Sequence, residues 1–312
     1  MTLQPQHLGL FLNADLLDAV QDQHDTDPIS KALNFLKQAK PDNPLADAQL
    51  SGLRYQFLGD EDSGSHAINI LQNINLNQFA SNYSEILQST LASLSAVESV
   101  RQHPDMNKMG SRLDDFYQQI DALNDPPDDA TLFDAFWLGA LNIGAAIVFE
   151  DEALLTRGMD IYQMAIDEHI HPEGYLKGIV DEDDVTDTYR LQVLGTGALV
   201  LMAEMATLAG VDLWAVNNRG TTPITAATYV LYYYYYPDKW KWETGLTSDT
   251  TQSVIKQYGA YIEMVNRRSP LRGIDIMFDD QRPLYSLTCG GLATLTHGTT
   301  APSKKKRWRL FG

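Results

Sequence analysis

Two segments of this chain leave no polar side when wound into a helix. They are "TLFDAFWLGALNIGAAIVF" (131–149) and "VTDTYRLQVLGTGALVLMAEMATLA" (185–209, followed by Gly210). A helix that is apolar all round has to be enclosed by other elements. Around them run amphipathic helical patterns: "DPISKALNFLKQAK", "PLADAQLSGLRYQFLGD", "GSHAINILQNI", "SEILQSTLASLSAVESV", "SRLDDFYQQIDAL" and "EALLTRGMDIYQMAIDEH". Asp27-Pro28 and Gly59 read as a helix start and a helix stop. Convincing alternating strands are scarce. Many helices of similar length on short loops predict an all-α array of hairpins with apolar helices inside and amphipathic ones outside.

The expected organisation is one domain over residues 1–312. The Pro-Asp run "NDPPDDA" offers a loop boundary near 125–129, and "SKKKRWRLFG" forms a basic tail at 303–312. Asp and Glu outnumber Lys and Arg by 41 to 23, for a net charge of −18. That field repels nucleic acids and anionic membranes, so neither is an expected partner. No uncharged run of 18 apolar residues announces a membrane span. The N-terminus lacks a basic stretch leading into an apolar one, so no signal peptide is read; the protein is either cytoplasmic or secreted with its leader removed. The lone Cys289 permits no internal disulfide. No phosphate loop, serine elbow or metal-ligand spacing is present. His169 and His171 without a third ligand do not make a metal site, and no cofactor is expected.

From residue 131 onward the order of features is distinctive. "FWLGALNIGAAIVFEDEALLTRG" is followed by "HPEGYLKG", "LMAEMATLAGVDLW", "NNRG", "PDKWKWETG" and "RPLYSLTCGGLATL". Upstream, "LADAQLSGLRYQFLGDEDSGSHAINIL" fits the same series. This succession resembles the alginate lyase (poly-mannuronate lyase) superfamily. The resemblance implies an incomplete (α/α) toroid and β-elimination on a uronic-acid glycan. Such chemistry needs a group that neutralises the sugar carboxylate, a base for the C5 proton and an acid for the leaving oxygen.

The chain departs from the family's motif. With Trp137 matched to the motif's tryptophan, Leu132, Phe133 and Asp134 stand where Asn-Asn-His belongs. The family's catalytic tyrosine falls on Gln192 or Leu194, depending on a small gap. An ungapped match from "EGYL" sets Tyr189 on another tyrosine of the motif. The expected catalytic group is therefore Tyr189 as base or acid, Arg190 to neutralise a carboxylate, and Asp134. Trp137, Asn142, Gln192 and Tyr233 are expected to bind substrate, an acidic polysaccharide or oligosaccharide.

Each nomination has a structural alternative. Arg190 also suits the acidic loop before it, and Tyr189 also suits core packing. Asp134 also suits the first turn of a helix, and Asn142 a core amide. Three functions stay open: a polysaccharide lyase; a glycan-binding or scaffold protein that kept the fold and lost the site; and a glycoside hydrolase using carboxylates.

"YVLYYYYYPDKWKWETG" (229–245) raises a separate question. Tyr229, Tyr232, Tyr233, Tyr236 and Trp240 fall on one helical stripe, and Pro237 ends the helix. The expectation is a helix from about Pro223 to Tyr236, with Tyr229, Tyr233 and Tyr236 mostly buried. A strand is the local alternative.

Overall fold

A computed structural model describes residues 3–182 and 185–299; the basic tail lies outside the described residues. The chain is all-α. Among the described residues there are no strands, only isolated bridges such as Ile170 with Leu176.

The apolar segments became α7 (Leu132–Phe149) and α9 (Thr188–Leu208). Both are long and apolar enough to cross a membrane, yet 72% and 83% of their apolar windows are buried inside the protein. What encloses them is a ring of helices. The inner helices α3 (Pro44–Leu58), α5 (Tyr83–Ser99), α7 and α9 stand side by side in that order. Outer helices back them: α4 (Glu61–Asn73) on α3, α6 (Gly110–Leu123) and α8 (Glu152–Met164) on α7, and α10 (Pro223–Tyr235) on α9. This is an (α/α) toroid of helical hairpins.

Beyond α9 the ring continues through α11 (Ser248–Tyr258), the short turn Gly259–Tyr261 and α12 (Ile262–Arg268). The short α13 (Arg272–Phe278) follows, and α14 (Ala293–His297) then packs on α12. It also packs on the N-terminal helices α1 (Ala14–Asp22) and α2 (Ile29–Gln38).

Helix starts follow local chemistry. Asn13, Asn43, Asp60, Asn82 and Asp151 each accept a backbone N–H of the first turn, relieving donors that the helix cannot satisfy itself. Gly59 ends α3 in the left-handed conformation at φ 65°. The start read at Asp27-Pro28 lies one residue on: α2 begins at Ile29 and Pro28 makes no side-chain cap.

The tyrosine run forms α10, opened by Thr222 and by Pro223 at its first position. Tyr229 is buried, whereas Tyr233 is half-buried. Tyr236 departs from expectation. It is 49% exposed, because the residue before Pro237 leaves the helical region and carries its ring off the packed stripe. There it lies beneath the Lys239 ammonium, 4.8 Å from the ring centre. The interior of this cluster is aromatic. Tyr233 lies 4.7 Å from Tyr229 and 4.9 Å from Trp240, both edge-on, the favoured geometry for ring quadrupoles.

Two buried carboxylates tie the later helices together. Glu204 on α9 accepts from Trp214 Nε1 at 2.7 Å and Arg268 Nε at 3.2 Å, and its other oxygen lies 3.2 Å from His297 Nε2 on α14. Glu263 on α12 takes both arms of Arg282 at 2.7 Å and the Thr294 hydroxyl at 2.9 Å. Burial alone would raise the Glu204 pKa. The hydrogen bond and charge of His297, with Arg268 and Trp214, outweigh that and hold it at about 2, against an ordinary 4.5. The folded-state value is depressed, so the linked stability is present above pH 4.5 and is lost as pH falls toward about 2.

Glu204→Gln keeps the shape and removes the charge, leaving Arg268 and His297 without their anion. The expected loss at neutral pH is ~3–5 kcal/mol, as for other broken buried pairs. In denaturation measured across pH, the gap between wild type and variant should be widest above pH 4.5 and close as pH falls toward about 2. A gap that does not change with pH would show that Glu204 is uncharged in the fold.

The α7–α8 crossing is close enough to need glycine. A Cβ on Gly158 would sit 2.6 Å from Ile143 Cγ1 and 3.0 Å from the Gly139 carbonyl oxygen. Gly158→Ala gains ~1 kcal/mol of helix propensity and loses ~1–3 kcal/mol to overpacking, because a backbone atom cannot yield. The expected outcome is a lower melting temperature; a rise would mean that α7 and α8 do not pack this tightly.

Candidate functional site

On the concave side of the ring, three chambers of about 300, 410 and 180 Å³ share lining residues and form one groove. Gln88 on α5 borders all three, while Leu194 and Tyr258 border the first two. The inner chamber lies among α7, α9, the α11–α12 junction and the loop 285–289. The outer chamber opens toward residues 127–134 and the start of α9. The smallest extends toward Asn43 and Phe79.

One stripe of α9 forms the wall. Arg190, Leu194, Gly197 and Leu201 are spaced four, three and four residues apart and all line the groove. Tyr189, Val193 and Thr196 fall on another side, inside the protein. Arg190 is the one cation among the lining residues of the three chambers. Its guanidinium is partly exposed, with Nε 3.6 Å from Asp187 Oδ2, a distance that leaves it free to meet another anion.

Tyr189 does not reach the groove. It is buried, its hydroxyl donates to the Val230 carbonyl at 3.2 Å, and its ring meets Trp240 edge-on at 5.4 Å. Burial pushes its pKa far up, so it holds its proton and cannot serve as a base from this position.

Asp134 lines the outer chamber but works as a cap. Its carboxylate accepts from Thr131 N at 2.8 Å, Thr131 Oγ1 at 2.7 Å and Ser84 Oγ at 2.7 Å. Thr131 in return accepts the Asp134 N–H, completing a capping box. Asn142 is buried away from the groove and exchanges two 2.9 Å bonds with the Asn124 amide. Gln192 is buried too. It accepts from Leu176 N at 2.9 Å and donates to the Gly174 carbonyl at 3.1 Å, pinning the loop 171–180 to α9. That loop presses on α10 through Gly174 at φ +110°, where a Cβ would lie 2.6 Å from the Thr225 carbonyl oxygen. Tyr233 belongs to the aromatic cluster on α10 and lines none of the chambers.

The structure therefore brings Arg190, Asp134 and Trp137 to one groove and leaves Tyr189, Asn142, Gln192 and Tyr233 outside it. It adds residues that the sequence reading passed over. Tyr258, at the end of α11, borders the inner and outer chambers, and its hydroxyl has no partner among the described residues. Gln88 and Gln257 likewise offer free amides. Tyr83 is not a free proton carrier. Its hydroxyl donates to the Leu123 carbonyl, and burial, with Asp134 and Asp125 nearby, pushes its pKa up to about 12. Cys289 is buried at the inner chamber and burial raises its thiol to about 11, so it is not a nucleophile. Nothing in the sequence around Tyr258, "SVIKQYGAY", marks it apart from an ordinary amphipathic helix end.

Among the described residues no group of three His, Cys, Asp or Glu side chains is placed to hold a metal ion. His169 faces the Lys177 carbonyl at 3.2 Å, and His171 stacks on Tyr175 at 4.3 Å.

No family model matches the sequence, and no curated protein matches it. Solved structures do match the fold. A variant of alginate lyase A1-III complexed with a tetrasaccharide superposes with a TM-score of 0.76 at 15% identity, over 96% of this chain and 98% of that one. Alginate lyase A1-III from Sphingomonas species A1 gives 0.69 at 14% identity, over 95% and 97%. An alginate lyase from Bacteroides ovatus gives 0.68 at 12%, over 93% and 98%. The chain thus has the fold of the alginate lyases over at least 93% of its length.

Tyr189 gives a direct test of this geometry. Tyr189→Phe removes one buried hydrogen bond and should cost ~1 kcal/mol of stability. Whatever glycan binding or turnover the protein shows should persist in the variant. Loss of either with an unchanged melting temperature would place Tyr189 at the site after all.

Proposed function

We propose that the groove binds an acidic oligosaccharide and that Arg190 meets a uronate carboxylate there. The observation that carries this reading is that Arg190 is the single cation lining the groove, in a chamber whose carboxylates Asp134 and Glu85 are held by Thr131, Ser84 and Ser81. In a chain of net charge −18, a lone exposed guanidinium inside a cleft is where a carboxylate is best received, since guanidinium offers two parallel donors. The tetrasaccharide bound by a protein of the same fold agrees in ligand class.

A second reading, β-elimination, is favoured by one feature: Tyr258 and Arg190 line the same chamber. There Arg190 would neutralise the carboxylate and so acidify C5–H. Tyr258 would move the proton to the leaving glycosidic oxygen. The absent Asn-Asn-His and the commitment of Asp134 to its cap weigh toward binding without turnover. With Asp134 held by Thr131 and Ser84 and Glu85 held by Ser81, Asp129 is left without a second free carboxylate in the chamber, which argues against paired-carboxylate hydrolysis with its free acid and free base.

The test is a panel of uronic-acid oligomers, followed by calorimetry for binding and by absorbance of the unsaturated product for elimination. Arg190→Ala should weaken binding of acidic oligomers by ~1.5–3 kcal/mol, the value of a charge-assisted bond, and leave neutral oligomers unaffected. Turnover that disappears in Tyr258→Phe while affinity stays would establish the enzyme. If no acidic glycan binds to the wild type, both readings fall.

A further inference from the structure

Charge is unevenly spread along the groove. Among the described residues that line its three chambers, Arg190 is the only cation, and it stands in the outer one. The inner chamber, about 300 Å³, has no charged lining residue at all. Lys256, beside Gln257, lines none of the three. The smallest chamber carries a charge of the wrong sign for an acid: Glu85, whose carboxylate accepts from Ser81 N and Oγ at 2.7 Å. The outer chamber adds Asp129 and Asp134 to its wall. One carboxylate therefore finds a partner in this groove, and a second finds none.

What the inner chamber does offer suits an uncharged sugar. The partly exposed rings of Tyr258 and Tyr285, with Leu287, give it an apolar wall, and a few polar groups set among apolar ones are the usual make-up of a small-molecule site. The amides of Gln88 and Gln257 and the Tyr258 hydroxyl have no partner among the described residues. Each of these groups both donates and accepts, as a sugar hydroxyl does. A carboxylate brought to the same wall would give up part of its hydration with no cation to replace it, in a chain of net charge −18. The inner and outer chambers share Gln88, Leu194 and Tyr258, so neighbouring residues of one glycan can occupy both.

Resting on the binding reading above, we infer that the groove selects a heteroglycan, in which a uronate is flanked by uncharged sugars, and discriminates against a homopolymer of uronates. Arg190 takes the acid in the outer chamber. The neutral neighbour lies in the inner chamber against Tyr258 and Tyr285, with its hydroxyls paired to Gln88 and Gln257. Selectivity comes from the missing second cation, because an unpaired charge penalises the wrong ligand as effectively as a contact favours the right one.

The test uses three tetrasaccharides of one backbone, titrated by calorimetry into the full chain. The first alternates uronate and neutral hexose. The second is made from it by oxidising the hexose primary hydroxyls to carboxylates, and the third by reducing every uronate to the hexose. The alternating member should bind most tightly, about tenfold better than the fully acidic one, the low end of what an unpaired or like-charged contact costs. Two lysine variants separate the chamber from the long-range field of an acidic protein. Gln257→Lys sets an ammonium at the inner chamber and should close most of that gap. Gln252→Lys makes the same change of charge on the same helix but lines no chamber, and should leave the gap as in wild type. Both positions are exposed, so both variants should melt as wild type does. The inference is overturned if the fully acidic tetramer binds as tightly as the alternating one, or if the two lysines act alike. If neither acidic tetramer binds, or if the neutral one binds as well as the alternating one, the role given to Arg190 fails instead.

Discussion

Everything in this structure follows from enclosing α7 and α9. A helix with no polar face has no stable place at a surface, and two of them cannot hide each other completely. The solution is a ring in which α3 and α5 join them inside while amphipathic helices close the outside. Close approach is part of the same constraint. Gly139 and Gly158 let α7 and α8 touch backbone to side chain, and Gly197 lets Tyr261 lie against α9. The ring surrounds a hollow because helices standing in a circle cannot fill their own centre. The groove is therefore a product of packing before it is a product of chemistry.

The fold was legible because its signals are local. The stop at Gly59 and a 3.6-residue period are read within one turn of the residues that carry them, while the caps at Asn43 and Asn82 were passed over. The groove was less legible for a physical reason. Its walls come from α5, α7, α9, α11 and the loop 285–289, and no local pattern says that these meet. On α9 the difficulty is sharper. A helix that is apolar on every side carries no stripe to show which side faces the cleft. Tyr189 and Arg190 are neighbours in sequence, yet one is buried and the other lines the groove.

The capping box at Thr131 illustrates a related ambiguity. A carboxylate three residues into an apolar helix has two uses, chemistry in a cleft or satisfaction of the helix's own N–H groups. Asp134 stands at the position where both are available, and its oxygens are taken by Thr131 and Ser84. The tyrosine run resolves in a similar way. Rings spread around a helix cannot serve one surface, so Tyr229 packs while Tyr232 and Tyr236 meet water beside Lys239.

The pairing of Glu204 with His297, and of Glu263 with Arg282 and Thr294, bears on how the protein is made. A chain leaves the ribosome N-terminus first, at ~5–20 residues per second. The helices α9 and α12 therefore emerge carrying carboxylates whose partners have not yet been translated. Until Arg268 and Arg282 have followed, burying Glu204 or Glu263 would strand a charge. The early hairpins α3 to α8 carry no such debt and can settle against one another as they appear. The groove is a late product for a related reason: part of its wall is Tyr258, Tyr261 and the loop 285–289, translated after the helices they face.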